Sequence, residues 1–166
     1  VIPQKGLVLS RLSAYWFEET GHILPNHFVA MADDVGKLVD LKSTPLLANL
    51  PPEVAARAMV VRRAERIDIE CVVRGYITGS AWAEYEASST VGGNAMSPGL
   101  REGDSFPKSL FTPTTKAETG HDMPMSPEDV RDMVGDEMAA RLEEVSRQVY
   151  EFARDEARTK GIIIAD

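Results

Sequence analysis

Residues 67–74 alternate between apolar and mostly polar side chains, and this pattern constrains the fold more than any other in the sequence. A repeat of two residues is typical of a β-strand, whose side chains point alternately to opposite faces of the sheet. Because Val72 interrupts the polar row, we expect this strand to be buried on both sides. Glu70 and Arg74 would then lie on one buried face, where charged groups require partners.

A glycine-flanked turn and a helix follow this strand directly. The turn covers residues 75–79, and Ser80 is the predicted N-cap of a helix that carries Trp82 and Tyr85. The N–H groups at the start of that helix, the Ser80 hydroxyl and the nearby Arg74 together predict an anion site. Because similar sequences often serve only to turn the chain, the residues alone leave this site a hypothesis.

The remaining periodic segments indicate a mixture of helices and strands, which predicts the α+β class. Residues 126–129 carry a helix cap signature, with Ser at the cap, Pro at the first position and Asp three residues after the cap. Residues 90–120 are rich in Gly, Pro, Ser and Thr, and we predict an irregular loop that is mobile without ligands. Helices are further predicted over residues 8–19, 53–58 and 136–159, and strands over 27–31 and 162–165.

Composition and charge exclude several classes of protein. The 166 residues are 43% apolar and 27% charged, which is typical of a globular domain and argues against disorder. No apolar run approaches the roughly 18 residues of a membrane span. The net charge of −8 argues against nonspecific binding to nucleic acid. An anionic ligand would therefore depend on local Arg, Lys and backbone N–H groups.

Cysteine content and the ends of the chain suggest a location and an origin. Cys71 is the single cysteine, so the chain has no internal disulfide or Cys-x-x-Cys metal site. Without a basic and apolar leader, we expect a protein of the reducing cytoplasm. The sequence begins Val-Ile-Pro without Met and stops just after an apolar run, which suggests a fragment of a longer polypeptide.

Common catalytic motifs are missing, and one metal-binding arrangement is only weakly supported. The sequence has no Walker loop, Rossmann glycine pattern, zinc-binding helix or Gly-x-Ser-x-Gly elbow. Glu118, His121 and Asp122 lie close together in the sequence, but their spacing matches no standard metal site.

A closer signal comes from residues 59–65, MVVRRAE, and residues 69–80, IECVVRGYITGS. These runs closely resemble the phosphoribosylaminoimidazole-succinocarboxamide synthase (SAICAR synthetase) family of purine biosynthesis. Other matching blocks follow in the family's order: PQKG at 3–6, LSAYWF at 12–17, NH at 26–27, FTPTTKAE at 111–118, GHD at 120–122 and GIIIAD at 161–166. The resemblance therefore covers essentially the whole chain.

The resemblance implies an ATP-dependent ligase that joins L-aspartate to carboxyaminoimidazole ribonucleotide. ATP would phosphorylate the imidazole carboxylate, and the aspartate amine would then displace phosphate to leave an amide. Positioning and neutralisation of charge on the transferred group would lower the barrier, with Mg²⁺ as the main counter-charge. The implied cofactors are thus ATP and Mg²⁺, and the implied partners are small molecules, with a homo-oligomer compatible with the sequence.

The resemblance also implies roles for individual residues. Those matching Arg74 and Ser80 hold the nucleotide substrate through its phosphate, and the backbone matching Arg62 to Ala64 reads adenine. Asp166 would lie beside ATP and the metal ion. Substrate-binding positions that border the imidazole and the aspartate match Lys116, His121 and Asp122, and of these Lys116 and Asp122 would be catalytic.

The family fold implied by the resemblance has two lobes separated by a kinase-like cleft. Residues 1–62 would be a remnant of the small N-terminal lobe, and residues 63–166 the larger nucleotide-binding and substrate-binding lobe. The family's lysine-bearing hairpin before the first block has no counterpart here, nor do the Lys and Glu that follow the last block. We therefore expect the chain alone to be inactive.

Two other functions remain open at this level. A protein kinase-like or inositol-phosphate kinase-like enzyme shares the two-lobed cleft, but its His-Arg-Asp and Asp-Phe-Gly motifs are absent. A non-catalytic nucleotide-binding or interaction module is the other alternative.

Overall fold

A computed structural model describes residues 2–34, 36–38, 47, 49–116 and 122–166. Helices and strands are interspersed along the chain, which confirms the α+β class. Two units divide the chain, residues 1–66 and residues 67–166. That these units correspond to the small and large lobes of the resemblance stays a prediction.

The first unit combines a long helix with a two-stranded sheet. Helix α1 (Lys5–Glu19) confirms the predicted helix and begins slightly earlier, after Gln4 in the left-handed conformation. Strands β1 (Phe28–Met31) and β2 (Met59–Val61) pair antiparallel, and Phe17 of α1 stacks on Phe28 with ring centroids 5.7 Å apart. The short helix α2 (Pro52–Ala55) precedes β2.

Among its described residues, the second unit has three pairs of strands and three helices, and it contains the candidate site. Its elements are β3 (Ile69–Glu70), β4 (Val73–Tyr76), α3 (Gly79–Ser88), β5 (Thr90–Val91), β6 (Asn94–Ala95), β7 (Ser105–Phe111), β8 (Thr114–Thr115), α4 (Pro127–Val134) and α5 (Asp136–Thr159). Antiparallel pairs form between β3 and β8, β4 and β7, and β5 and β6. These are three of the described strand pairs, and the fourth, β1 with β2, belongs to the first unit.

The strand predicted over residues 67–74 is two strands, so this expectation is wrong. β3 and β4 belong to different sheets because the chain turns between them, where the Val72 N–H donates to the Glu70 carbonyl at 3.1 Å. Glu70 and Arg74 are therefore in different sheets, and Cys71 is exposed rather than buried. The turn between β3 and β4 is so short that the alternation of apolar and polar residues continues through it. The pattern therefore could not show that the strand is divided in two.

Helix α3 packs against the sheet of β4 and β7 through a buried apolar core. The buried residues of this core are Ile77, Ala81, Tyr85, Val91 and Phe106. Burying a Val, Ile or Phe side chain stabilises the folded state by about 1.5–3 kcal/mol relative to leaving it in water. Because the core joins α3 to the residues after β4, the start of the helix is held beside the strand that carries Arg74.

Strands β5, β6, β7 and β8 lie within residues 90–115, so the predicted irregular loop is wrong where these strands form, whereas residues 96–104 consist of turns and irregular chain as predicted. β5 and β6 make a hairpin, and β7 extends over seven residues. Turn glycines account for the misleading composition, since Gly92 and Gly93 connect β5 to β6 rather than mark a structureless segment. Residues 117–120 lie outside the described residues, and the ordering of this region on ligand binding stays a prediction.

The two C-terminal helices confirm the sequence prediction. Ser126 accepts a hydrogen bond from the Asp129 N–H at 3.1 Å, and the Asp129 carboxylate accepts from the Ser126 N–H at 2.7 Å. This reciprocal capping box begins α4, as the sequence signature indicates. A second buried cluster, formed by Ile69, Met125 and Val130, packs against α5 residues such as Leu142.

The segment predicted as a buried strand over residues 162–165 is irregular, so this expectation is wrong. Ile162 and Ile163 are 56% and 74% exposed. The Gly75 N–H donates to the Ala165 carbonyl at 2.8 Å, but one such bond does not make a strand ladder. The apolar run by itself could not show that β4 would form only one backbone hydrogen bond with this segment.

We expect Gly75→Ala to destabilise the second unit by about 1–3 kcal/mol, the usual cost of overpacking an interior. A Cβ at Gly75 would lie 1.9 Å from the hydroxyl oxygen of Tyr150, which is buried and donates to the Ile164 carbonyl. Urea unfolding measures the loss. Tyr150→Phe removes the clashing oxygen and should restore part of the stability in the double variant. A single variant as stable as the parent would contradict this close packing.

Candidate functional site

Arg74 lies at the centre of the candidate site, and its side chain is only 12% exposed. The Nε donates to the Thr112 hydroxyl at 3.2 Å, and Nη2 donates to the Ser80 hydroxyl at 3.0 Å. Nη1 donates to the Asp166 carboxylate at 2.6 Å. Bonds on three sides fix the plane of the guanidinium, which presents its remaining N–H groups in a defined direction. The structure therefore brings three sequence-predicted residues together: Arg74, Ser80 and Asp166.

Ser80 reaches Arg74 from the first turn of α3. The N-cap of this helix is Thr78, so the prediction that Ser80 is the cap is wrong by two positions. The extended backbone of Thr78 begins the helix, and Gly79 is its first residue, with a positive φ of 54°. Because Ser80 does not cap the helix, its hydroxyl is directed to the Arg74 side chain instead.

An open pocket of about 430 Å³ lies beside the Arg74 cluster. This volume falls within the usual range of small-molecule sites, roughly 300–1,000 Å³. The polar lining residues are Arg74, Ser80, Glu84, Thr112, Thr114, Ser126 and Asp129. Since the lining includes two carboxylates and one guanidinium, an anion would be recognised by specific hydrogen bonds rather than by an excess of positive charge.

Both carboxylates of the pocket favour the ionised form. The Ser126 hydroxyl and N–H donate to Asp129 and hold the pKa of that carboxyl below its ordinary value. Burial by itself would raise the pKa of Glu84, but bonds from Gly93, Thr90 and Gly92, with the charge of Arg74, outweigh it and lower the pKa. Glu84 was not predicted as a site residue from the sequence. Its spacing of four residues from Ser80, which places both on one face of the helix, is the feature that could have indicated it.

Lys116 is not among the residues that line this pocket. Its ammonium group pairs with Glu70 at 3.3 Å, and both side chains are more than two-fifths exposed. Glu70 also accepts a long hydrogen bond from the Thr114 hydroxyl at 3.4 Å. The expectation that Glu70 shares a buried face with Arg74 is thus wrong, since the partners of the two residues do not overlap.

The other predicted site residues are divided between the two units. Arg62 and Ala64 are exposed residues of the first unit, where the Arg62 N–H donates to the His27 carbonyl at 2.7 Å. Asp122 is an exposed residue of the second unit. His121 lies outside the described residues, as does Glu118, so the structure does not test the metal arrangement of these two residues with Asp122.

Two kinds of feature are absent from the part of the chain that the structure describes. It contains no group of three or more His, Cys, Asp or Glu side chains arranged to hold a metal ion. None of its helices combines the length and apolar character that crossing a membrane requires.

A concave pocket of this size with a few convergent polar groups, among them an arginine, is the usual form of a small-molecule site. The chain belongs to the SAICAR synthetase family, whose model matches residues 1–166. This membership confirms the resemblance seen in the sequence and argues against a protein kinase.

Relatives and a solved structure agree with this assignment. The phosphoribosylaminoimidazole-succinocarboxamide synthases of Pichia angusta and Elusimicrobium minutum are 43% and 41% identical to the chain, over 99% of its length. The SAICAR-synthase from Saccharomyces cerevisiae complexed with SAICAR has 36% identity and a TM-score of 0.80, covering 99% of this chain and 53% of that one. The matches cover 54% and 55% of the two relatives, so the chain spans about half the length of the curated relatives it matches.

Proposed function

We propose that the chain contributes the nucleotide-phosphate site of an ATP-dependent ligase that joins L-aspartate to carboxyaminoimidazole ribonucleotide. The product would be the succinocarboxamide, with ADP and phosphate released. One observation carries the proposal: a chain of the SAICAR synthetase family holds Arg74 and Ser80 in direct contact at the edge of a pocket. SAICAR bound to the Saccharomyces cerevisiae neighbour supports the proposed product.

The guanidinium of Arg74 is suited to a phosphate because it retains donors for a ligand. Its contacts with Thr112, Asp166 and Ser80 use three N–H groups, whereas an arginine has five. The hydroxyl of Ser80 can rotate to donate to a phosphate oxygen while its lone pair still accepts from Arg74. A phosphate bound here would anchor the ribonucleotide by charge-assisted bonds, which are stronger than neutral ones.

In the proposed reaction, the imidazole carboxylate attacks the γ-phosphorus of ATP, and the bond from that phosphorus to ADP breaks. The aspartate amine then attacks the resulting acyl phosphate, loses a proton and expels phosphate, which leaves the amide. Lys116, His121 and Asp122 would border the imidazole and aspartate groups, with Lys116 and Asp122 as the catalytic pair. The exposed ammonium of Lys116 must leave Glu70 to contact a substrate, and an exposed pair of this kind is weak enough to allow it.

Asp166 is the residue that would hold Mg²⁺. One oxygen of its carboxylate accepts from Arg74, and the group is 44% exposed. Mg²⁺ commonly takes only one or two carboxylates and completes its shell with phosphate oxygens and water. This single carboxylate therefore fits a metal ion shared with a triphosphate and does not fit a metal cage made by the protein alone. The bound ion would supply positive charge to the transferred phosphoryl group.

The adenine of ATP would be read by the backbone from Arg62 to Ala64. These residues follow β2 and are exposed, and since the Arg62 N–H already donates to the His27 carbonyl, the other backbone groups of this segment would have to read adenine. With small-molecule substrates and a net charge of −8, we propose a cytoplasmic enzyme that does not act on nucleic acid.

Thermal unfolding with carboxyaminoimidazole ribonucleotide, in the absence of ATP, tests this function. A ligand present at about 100 times its Kd stabilises the folded state by about 2.7 kcal/mol, which raises Tm by several degrees. The corresponding nucleoside, which lacks the phosphate, is the matched control and should produce a much smaller shift. Equal shifts for the two ligands, or none for the nucleotide, would contradict the proposed phosphate site.

A further inference from the structure

Glu84 is a pocket residue whose carboxylate is fully engaged by the neighbouring hairpin. It accepts hydrogen bonds from the Gly92 N–H at 2.9 Å, the Gly93 N–H at 3.0 Å and the Thr90 hydroxyl at 2.7 Å. Ser80 lies four residues before it on α3, so both side chains leave the same face of the helix. One helical turn therefore carries a contact to Arg74 and a contact to the hairpin.

The hairpin turn that Glu84 binds packs directly against Thr112. Gly92 and Gly93 have φ of 58° and 73°, as a two-residue turn between antiparallel strands requires. A Cβ at Gly92 would lie 2.8 Å from Cγ2 of Thr112, so the backbone of the turn packs closely against this side chain. Thr112 is 6% exposed and accepts from Nε of Arg74, and its rotamer is thus fixed from both sides.

A continuous series of contacts therefore links Glu84 to the guanidinium. The carboxylate binds the turn, the turn confines Thr112, and Thr112 holds Nε of Arg74. The ionised state of Glu84 strengthens the first link, because bonds to a charged acceptor are stronger than bonds to a neutral one.

We propose that Glu84 is a positioning residue for the phosphate site: its carboxylate fixes the Gly92–Gly93 turn and, through Thr112, the orientation of Arg74. This inference rests on the proposed function for the identity of the ligand, but the contact series itself does not depend on that ligand. Without the carboxylate, two turn N–H groups and the Thr90 hydroxyl lose their common acceptor, and Arg74 loses a rigid support.

Glu84→Gln is the first variant, since it keeps the shape of the side chain but replaces one acceptor oxygen with a donor. Glu86→Gln is the matched control, because it makes the same charge change at an exposed position of the same helix. Two quantities are measured on the full chain: the Kd for carboxyaminoimidazole ribonucleotide by calorimetry, and the Nε–H resonance of Arg74 by NMR. Because the loss of the Glu84 charge also acts on Arg74 directly, the shift is compared with that in Thr90→Val, which keeps the charge and removes one bond to the hairpin.

We expect Glu84→Gln to weaken binding about tenfold, the size of one lost charge-assisted bond. The Arg74 Nε–H resonance should shift as well, whereas Glu86→Gln should leave both quantities unchanged. Unchanged affinity, or weaker binding without a shift of that resonance, would overturn the positioning role. A shift of the resonance in a chain whose parent binds no nucleotide would support Glu84 while contradicting the proposed function.

Thr90→Val is a milder second variant in case Glu84→Gln does not fold. It removes the 2.7 Å hydroxyl bond to Glu84 and keeps both backbone bonds to the turn. We expect the same two quantities to change in the same direction by a smaller amount. A folded Thr90→Val chain with the affinity and the Arg74 resonance of the parent would count against the proposal.

Discussion

The 166 residues on their own should release no ADP above background when supplied with ATP, Mg²⁺, aspartate and carboxyaminoimidazole ribonucleotide. The triphosphate needs positive charge where charge moves in the transition state. The proposed function assigns Arg74 to the ribonucleotide phosphate and Lys116 to the imidazole and aspartate groups, so neither cation is left for the triphosphate. The chain also spans about half the length of the curated relatives it matches, and we expect the remaining half to supply further lysines and a metal-binding Glu.

The matched comparison extends the chain on both sides with the flanking segments of the Pichia angusta relative, which is 43% identical to it. The extended protein should release ADP in a reaction that requires both aspartate and the nucleotide. Release of ADP by the 166 residues at a rate within tenfold of the extended protein would show that these residues suffice. Binding of the nucleotide without turnover would agree with the prediction.

Arg74→Ala should weaken binding of carboxyaminoimidazole ribonucleotide by about 30- to 150-fold, which corresponds to about 2–3 kcal/mol of lost charge-assisted bonding. The guanidinium is almost buried and oriented by three side chains, so neither water nor a neighbouring cation can replace it. In the extended enzyme, the same variant should chiefly raise KM for this substrate, because the phosphate is bound equally in the ground and transition states.

Arg101→Ala is the control for this variant. Arg101 is 85% exposed, and its substitution removes the same charge from the same unit. Arg74→Lys separates charge from geometry: an ammonium keeps the charge but cannot bond three acceptors in one plane, and it should recover little affinity. A KM for the nucleotide that is unchanged in Arg74→Ala would rule out this arginine as the phosphate ligand.

The parts of the site that could be predicted are those whose residues lie close together in the sequence. Arg74 and Ser80 are six residues apart and joined by a strand, a turn and a helix, so their proximity follows from local structure. Thr112 lies 38 residues from Arg74, and its contact depends on how β4 pairs with β7. A two-residue repeat predicts a strand but does not predict which residues of another strand it pairs with. For this reason the sequence did not predict Thr112 as a partner of Arg74.

Elements with strong local signals were predicted well, and those that depend on neighbours were not. The capping box at Ser126 sets the start of α4 wherever the helix packs. By contrast, the split between β3 and β4 reflects two different partner strands, and residues 162–165 remain irregular because they share one backbone bond with β4. Glu84 was not predicted for a similar reason, since the N–H groups that donate to it are brought close only by the fold of the next hairpin.

The placement of Ser80 and Glu84 on one turn of α3 restricts how this part of the chain can change in length. Each residue of an α-helix advances the side-chain direction by about 100°. A single residue inserted or deleted between them would turn one of the two away from the pocket while leaving the helix intact. The three intervening residues can vary in identity, within the packing of Ala81 and Trp82 against the core, but not in number.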